Sequence, residues 1–231
     1  MRFVEKGEPR GSLKWIRRAV NESPALLDQR IRDALAVTSN APISWASPLA
    51  QDEFAEYRDE DFVLLTGVQL PRRALDAFWP SRGPQWDALG RLGSTGALLV
   101  EAKANIPEIV SPGTSAEGDR LKLIERSLSE VKSFLEVDPS ISWSGKFYQY
   151  ANRLAHLYLL RELNGQDAYL VFVYFTGDND VEGPATASEW NAALTVAKRV
   201  LGLPKRHRLS KYVADVFIDV SEIENAAQQR V

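Results

Sequence analysis

The sequence predicts an α/β fold, a central mixed β-sheet flanked by helices, and two observations carry this. Segments with apolar residues every three or four positions alternate with short runs rich in β-branched and aromatic residues, the mixing expected of a sheet covered by helices. Two of those runs, 97–100 and 168–175, are continuously apolar, as buried strands are. With 231 residues, 45% hydrophobic and 26% charged, the chain can bury a substantial core. It is expected to form a single domain over residues 1–231, with 1–46 as an N-terminal helical extension.

In residues 12–37, Leu13, Ile16, Val20 and then Leu26, Leu27, Ile31, Leu35 recur at helical spacing. They flank Glu22-Ser23-Pro24, so two helices are expected, the second with Pro24 in its first turn. Residues 43–48 read as extended, and Ser47-Pro48 is expected to open a further helix. That helix would carry Asp52, Glu53, Glu56 and Arg58 on its polar face and Leu49, Phe54 and Tyr57 on its apolar face. Residues 70–84, with Pro71, Pro80 and Pro84 around Phe78-Trp79, suit a mostly irregular connection packed by its aromatics.

Residues 84–89 and 97–103 are expected to be the arms of a hairpin turning at 93–96. After a loop at 106–118, residues 119–135 place Leu121, Ile124, Leu128, Val131 and Leu135 on one helical stripe. Residues 147–163 form a second such helix, stopped by Gly165. A strand at 168–175, a helix at 187–201 and a last strand at 212–220 complete the order. Residues 225–231 look too polar to pack.

Composition excludes several chemistries. Without cysteine there are no disulfides, thiolate zinc sites, iron–sulfur clusters or cysteine nucleophiles, which suits a reducing cytoplasm. Two histidines, His156 and His207, are too few for a zinc site built on several of them, so carboxylates and a hard ion such as Mg²⁺ are the natural pairing. The opening MRFVEKGEPRGS has no apolar core of a secretion signal, and no apolar run is long enough to span a bilayer, so no membrane partner is expected. A net charge of −3 argues against bulk coating of nucleic acid but leaves room for a local basic groove.

The most informative stretch is GPQWDALGRLGSTGALLVEAKAN. Alternation along a strand puts Glu101 and Lys103 on one face, and Asp87 on the neighbouring arm can join them. Two converging carboxylates can hold an ion that neutralises a scissile phosphate, with the main-chain carbonyl of Ala102 as a further oxygen ligand. A lysine beside them can orient or deprotonate the attacking water and stabilise developing negative charge. The bland reading is a surface salt bridge between Glu101 and Lys103, which contributes little to stability.

Pro84-x-x-Asp87 followed by Glu101-Ala102-Lys103 resembles the motif of the PD-(D/E)xK nuclease superfamily, as a bacterial-type member. The resemblance implies a restriction endonuclease-like fold and a Mg²⁺-dependent nuclease, Mn²⁺ substituting, acting on nucleic acid and foremost on DNA. It assigns Asp87 and Glu101 as metal ligands and Lys103 as the catalytic lysine. In that superfamily an early helix often adds a glutamate and a later helix a glutamine or tyrosine; Glu56 and Gln149 are the candidates, with Glu53 and Glu22 as rivals for the former. Dimers are frequent among restriction-type enzymes, but no interface is legible here. The alternative is an inactive module of the same fold that binds nucleic acid or protein.

Three further features have plainer expectations. His156, among apolar residues at helical spacing, reads as a hydrogen-bonded core histidine. The basic run 205–211 reads as a solvated loop, phosphate contact being its alternative. Asp178-Asn179-Asp180 reads as a polar turn.

Overall fold

The structure is a computed structural model, and it describes residues 1–37 and 41–228. In chain order the elements are β1 (Arg2–Phe3), α1 (Gly11–Asn21), α2 (Pro24–Ala34), β2 (Ile43–Ser47), β3 (Glu56–Tyr57), α3 (Glu60–Thr66) and α4 (Leu75–Phe78). They continue with β4 (Ala88–Leu92), β5 (Gly96–Lys103), α5 (Gly118–Leu135), α6 (Tyr148–Tyr158), β6 (Ala168–Thr176), α7 (Ala187–Val200), β7 (Val213–Asp219) and α8 (Val220–Gln228). Five strands form one mixed sheet in the order β2-β4-β5-β6-β7, with β5 at its centre. β2, β4 and β5 run antiparallel in turn, whereas β5, β6 and β7 are parallel. The expected α/β sheet flanked by helices is present.

Each face of the sheet buries a separate core. Alternation in β5 sends Ala97 and Leu99 to one core and Leu98, Val100 and Ala102 to the other. The first core is closed by Ile124, Leu128, Val131 and Leu135 of α5, by Leu154 and Leu157 of α6, and by Trp190 and Leu194 of α7. The second is closed by Trp15 and Ile16 of α1, Leu27 and Ile31 of α2 and Ile223 of α8. Within the segment expected as an extension, α1 and α2 therefore supply part of the layer over one face, and Ile43 to Ala46 most of strand β2. Local chemistry supports these elements: Pro24 opens α2, and the Thr186 side chain accepts the Glu189 N–H to cap α7.

Three expectations need correction. The helix expected after Pro48 is absent: the chain makes one 3₁₀ turn at Ala50–Asp52, reverses through Glu53 and Phe54, both at φ 55°, and enters β3. The reason is tertiary, because Glu56 and Tyr57 pair with Phe3 and Arg2 of β1 and Tyr57 bridges Trp86. The first arm of the hairpin covers Ala88–Leu92 rather than starting at residue 84. Asp87 ends the ladder by taking the Ala102 N–H with its side chain in place of a main-chain carbonyl. The C-terminal tail is helical to Gln228 and packs through Val220 and Ile223, while 229–231 lie outside the described residues.

Among the described residues, no helix is long and apolar enough to cross a membrane. His156 is buried, with Nδ1 2.8 Å from the Asn152 carbonyl, as a core histidine should be. Asp178 closes its turn by accepting the Asp180 N–H and binds the Trp15 indole N–H at 2.7 Å.

Candidate active site

A cleft of about 420 Å³ opens where β5 ends, between α6 and the segment leading into β4. Asp87, Glu101, Lys103, Glu56 and Gln149 all line it, so the five side chains singled out in the sequence share one cavity. Glu101 and Lys103 project from the same face of β5, and Lys103 Nζ lies 2.5 Å from Glu101 Oε1. Asp87 Oδ2 accepts the Ala102 N–H at 2.6 Å, which ties the first arm of the hairpin to the second at the level of the site.

Glu56 arrives by a different route from the one expected. It sits on β3, where it is buried and accepts a hydrogen bond from Gln85 Nε2 at 2.5 Å. Its rivals are elsewhere: Glu22, just past the end of α1, pairs with Arg18 of that helix, and Glu53 pairs with Arg2 at the surface. Gln149, in the first turn of α6, donates its main-chain N–H to Ser111 Oγ at 3.0 Å.

Sequence reasoning missed Arg153. Its Nε lies 2.7 Å from Glu101 Oε2, one terminal nitrogen reaches the Asn152 side chain at 2.9 Å, and the other reaches the Gln85 carbonyl at 2.7 Å. The guanidinium also lies over the Trp86 ring, 4.9 Å from its centroid. A signal was available. Arg153 is four residues after Gln149 and follows Asn152, so with His156 these polar residues form one stripe on a helix whose other positions are apolar or aromatic.

Burial sets the electrostatics. Glu101 is 3% exposed; burial alone would raise its pKa, but Arg153 and Lys103 outweigh that and hold it below the usual carboxylate value. Burial would lower Lys103, but the negative charge of Glu101 and Asp87 holds its ammonium above its ordinary value. At Asp87 the compensation falls short. Burial and then repulsion from Glu101 push it well above its ordinary value, against the pull of Lys103. Glu56 is raised by burial, with Gln85 and Arg17 opposing and Glu101 adding to it.

Among the described residues, no group of three or more His, Asp or Glu side chains is gathered closely enough to hold a metal ion. Mg²⁺ needs only one or two carboxylates, since it keeps most of its water. Oxygen donors that repel one another in a buried cleft are the kind of set that a hard cation relieves, so Asp87 and Glu101 fit such an ion. Glu101 would share its oxygens with the two cations that already hold them.

No family model, curated protein or solved structure matches this chain.

Proposed function

We propose that this chain is a metal-dependent nuclease that hydrolyses phosphodiester bonds of nucleic acid, DNA foremost, in the cytoplasm. The observation that carries this reading is the convergence of Asp87, Glu101 and Lys103, joined by Arg153, in one cleft at the end of the central strand. Mg²⁺, or Mn²⁺ in its place, would be held by Asp87, Glu101 and the main-chain carbonyl of Ala102. When bound, it supplies charge neutralisation at the phosphate and lowers the pKa of water.

The remaining chemistry belongs to the chain's own residues. Lys103, held as an ammonium by its two acidic neighbours, suits electrostatic stabilisation of a phosphate gaining charge better than proton abstraction. Arg153 fixes the orientation of Glu101 and adds a second cation to the same wall. Gln149 offers an amide at the rim of the cleft, and Glu56 a third carboxylate.

The test is Mn²⁺-supported cleavage of linear, nicked and single-stranded DNA and of RNA, by wild type and by Lys103→Ala. Cleavage lost in the variant supports the reading and identifies the substrate. One observation favours the second reading, an inactive module of the same fold: both oxygens of Glu101 are already taken by Lys103 and Arg153. Absence of cleavage on every substrate, together with no Mn²⁺ binding by calorimetry, would select that module.

A further inference from the structure

A second cleft, of about 700 Å³, lies on the same face of the sheet two strands away from the first. Glu101, Phe172 and Asp215 form one row across β5, β6 and β7, so Asp215 is the counterpart on β7 of Glu101 on β5. The likeness extends to the partner: Lys198 of α7 pairs with Asp215 as Lys103 pairs with Glu101. Tyr150 stands between the two sites, stacked on Phe172 with ring centroids 4.5 Å apart.

Charge is concentrated here against the trend of the chain. Residues 190–214 contain six Lys or Arg and no Asp or Glu, in a protein of net charge −3. Among the described residues, neither Arg199 nor Lys205, both exposed and both lining the cleft, has an ion-pair partner. The walls also hold unmet hydrogen-bonding capacity: Asp215 Oδ1 and His207 Nδ1 are buried atoms with no partner among the described residues. Leu203, Pro204 and Val213 provide apolar surface beside them.

A simple anion would satisfy the cations but not the carboxylate oxygen, which requires a donor. A ligand with a phosphate at one end and hydroxyl or amino donors at the other satisfies both. We propose that this cleft binds a nucleotide, with Arg199 and Lys205 on the phosphate and Asp215 accepting a hydrogen bond from a sugar hydroxyl or base amino group. This stands independently of the reading of the first cleft. The nucleotide is either free or one residue of a strand.

Calorimetric titration of the full chain with adenosine 5′-monophosphate, inorganic phosphate and a short single-stranded oligodeoxynucleotide tests it. Wild type and Lys103→Ala should bind the monophosphate alike, and the double variant Arg199→Gln with Lys205→Gln should bind at least about tenfold more weakly, as expected for lost charge-assisted contacts. Both substituted side chains are exposed, and an unchanged melting temperature verifies the fold. Tighter binding of the oligonucleotide, with the same dependence on Arg199 and Lys205, assigns a strand; equal or tighter binding of the monophosphate assigns a free nucleotide. No binding of either, binding that survives the double substitution, or inorganic phosphate binding as tightly as the monophosphate would each overturn the proposal.

Discussion

Arg153 of α6 grips Glu101 of β5 through two nitrogens, Nε at 2.7 Å and a terminal nitrogen at 2.5 Å from Oε2, with both side chains almost wholly removed from water. The pair joins a helix to the central strand and sets the charge of the cleft. It also decides which substitutions report on chemistry and which report on folding.

Removing one member of a buried pair leaves the other charge without compensation. Arg153→Met is expected to cost about 3 kcal/mol in urea unfolding, and Glu101→Gln combined with Arg153→Met should recover part of it. A cost of the single change below about 1 kcal/mol would mean that water reaches the pair. Glu101→Ala would strand both Arg153 and Lys103, so loss of cleavage in that variant would not separate catalysis from unfolding. Lys103→Ala, which leaves the Arg153 contact in place, separates them better.

Asp87 has the opposite sign. Its folded pKa is raised above the unfolded value, so its contribution to stability is present at low pH and is lost as pH rises through the folded pKa. Asp87→Asn is therefore expected to melt higher than wild type at pH 8, with a smaller gain at pH 4. Mn²⁺ should raise the melting temperature of wild type and leave that of Asp87→Asn unchanged. A variant that melts lower than wild type at both pH values would show that the carboxylate is not strained.

His156 is held neutral by burial, its pKa pushed down to about 4. The unfolded chain binds a proton near pH 6.5 that the folded chain refuses, so stability is full above that pH and falls as pH drops toward 4. The slope from this residue approaches about 1.4 kcal/mol per pH unit. Urea titrations at stepped pH should show it in wild type and a flatter profile in His156→Leu; equal slopes would place the acid sensitivity elsewhere.

Gly183 lies against the chain just after the end of β5. A methyl group there would come within 2.5 Å of the Ala104 carbonyl oxygen and 3.0 Å of that of Asp178, both main-chain atoms. Gly183→Ala is expected to cost about 1–3 kcal/mol by overpacking. By pushing the chain just beyond Lys103, it should also weaken cleavage more than a surface substitution of equal size. Full stability in the variant would mean that the loop simply moves aside.

The local elements were legible because they are written in local spacing. Apolar residues three and four apart marked α1, α2, α5, α6 and α7, and apolar runs marked β5 and β6. Strand alternation alone put Glu101 and Lys103 on one face, and the structure agrees. The burial of His156 could likewise be read from its neighbours along the helix.

Other features were settled only by contacts between distant segments. Glu56 enters the cleft because β3 pairs with β1, and that pairing overrides the helical spacing of residues 48–58. Arg153 becomes part of the site because α6 docks over β5, and the first helices cover the sheet because its second face has to be buried. Asp215 matches Glu101 only through the register of β5, β6 and β7. Side-chain periodicity is a property of neighbours along the chain and survives in sequence, whereas register and helix docking depend on surfaces that exist only once the chain has collapsed.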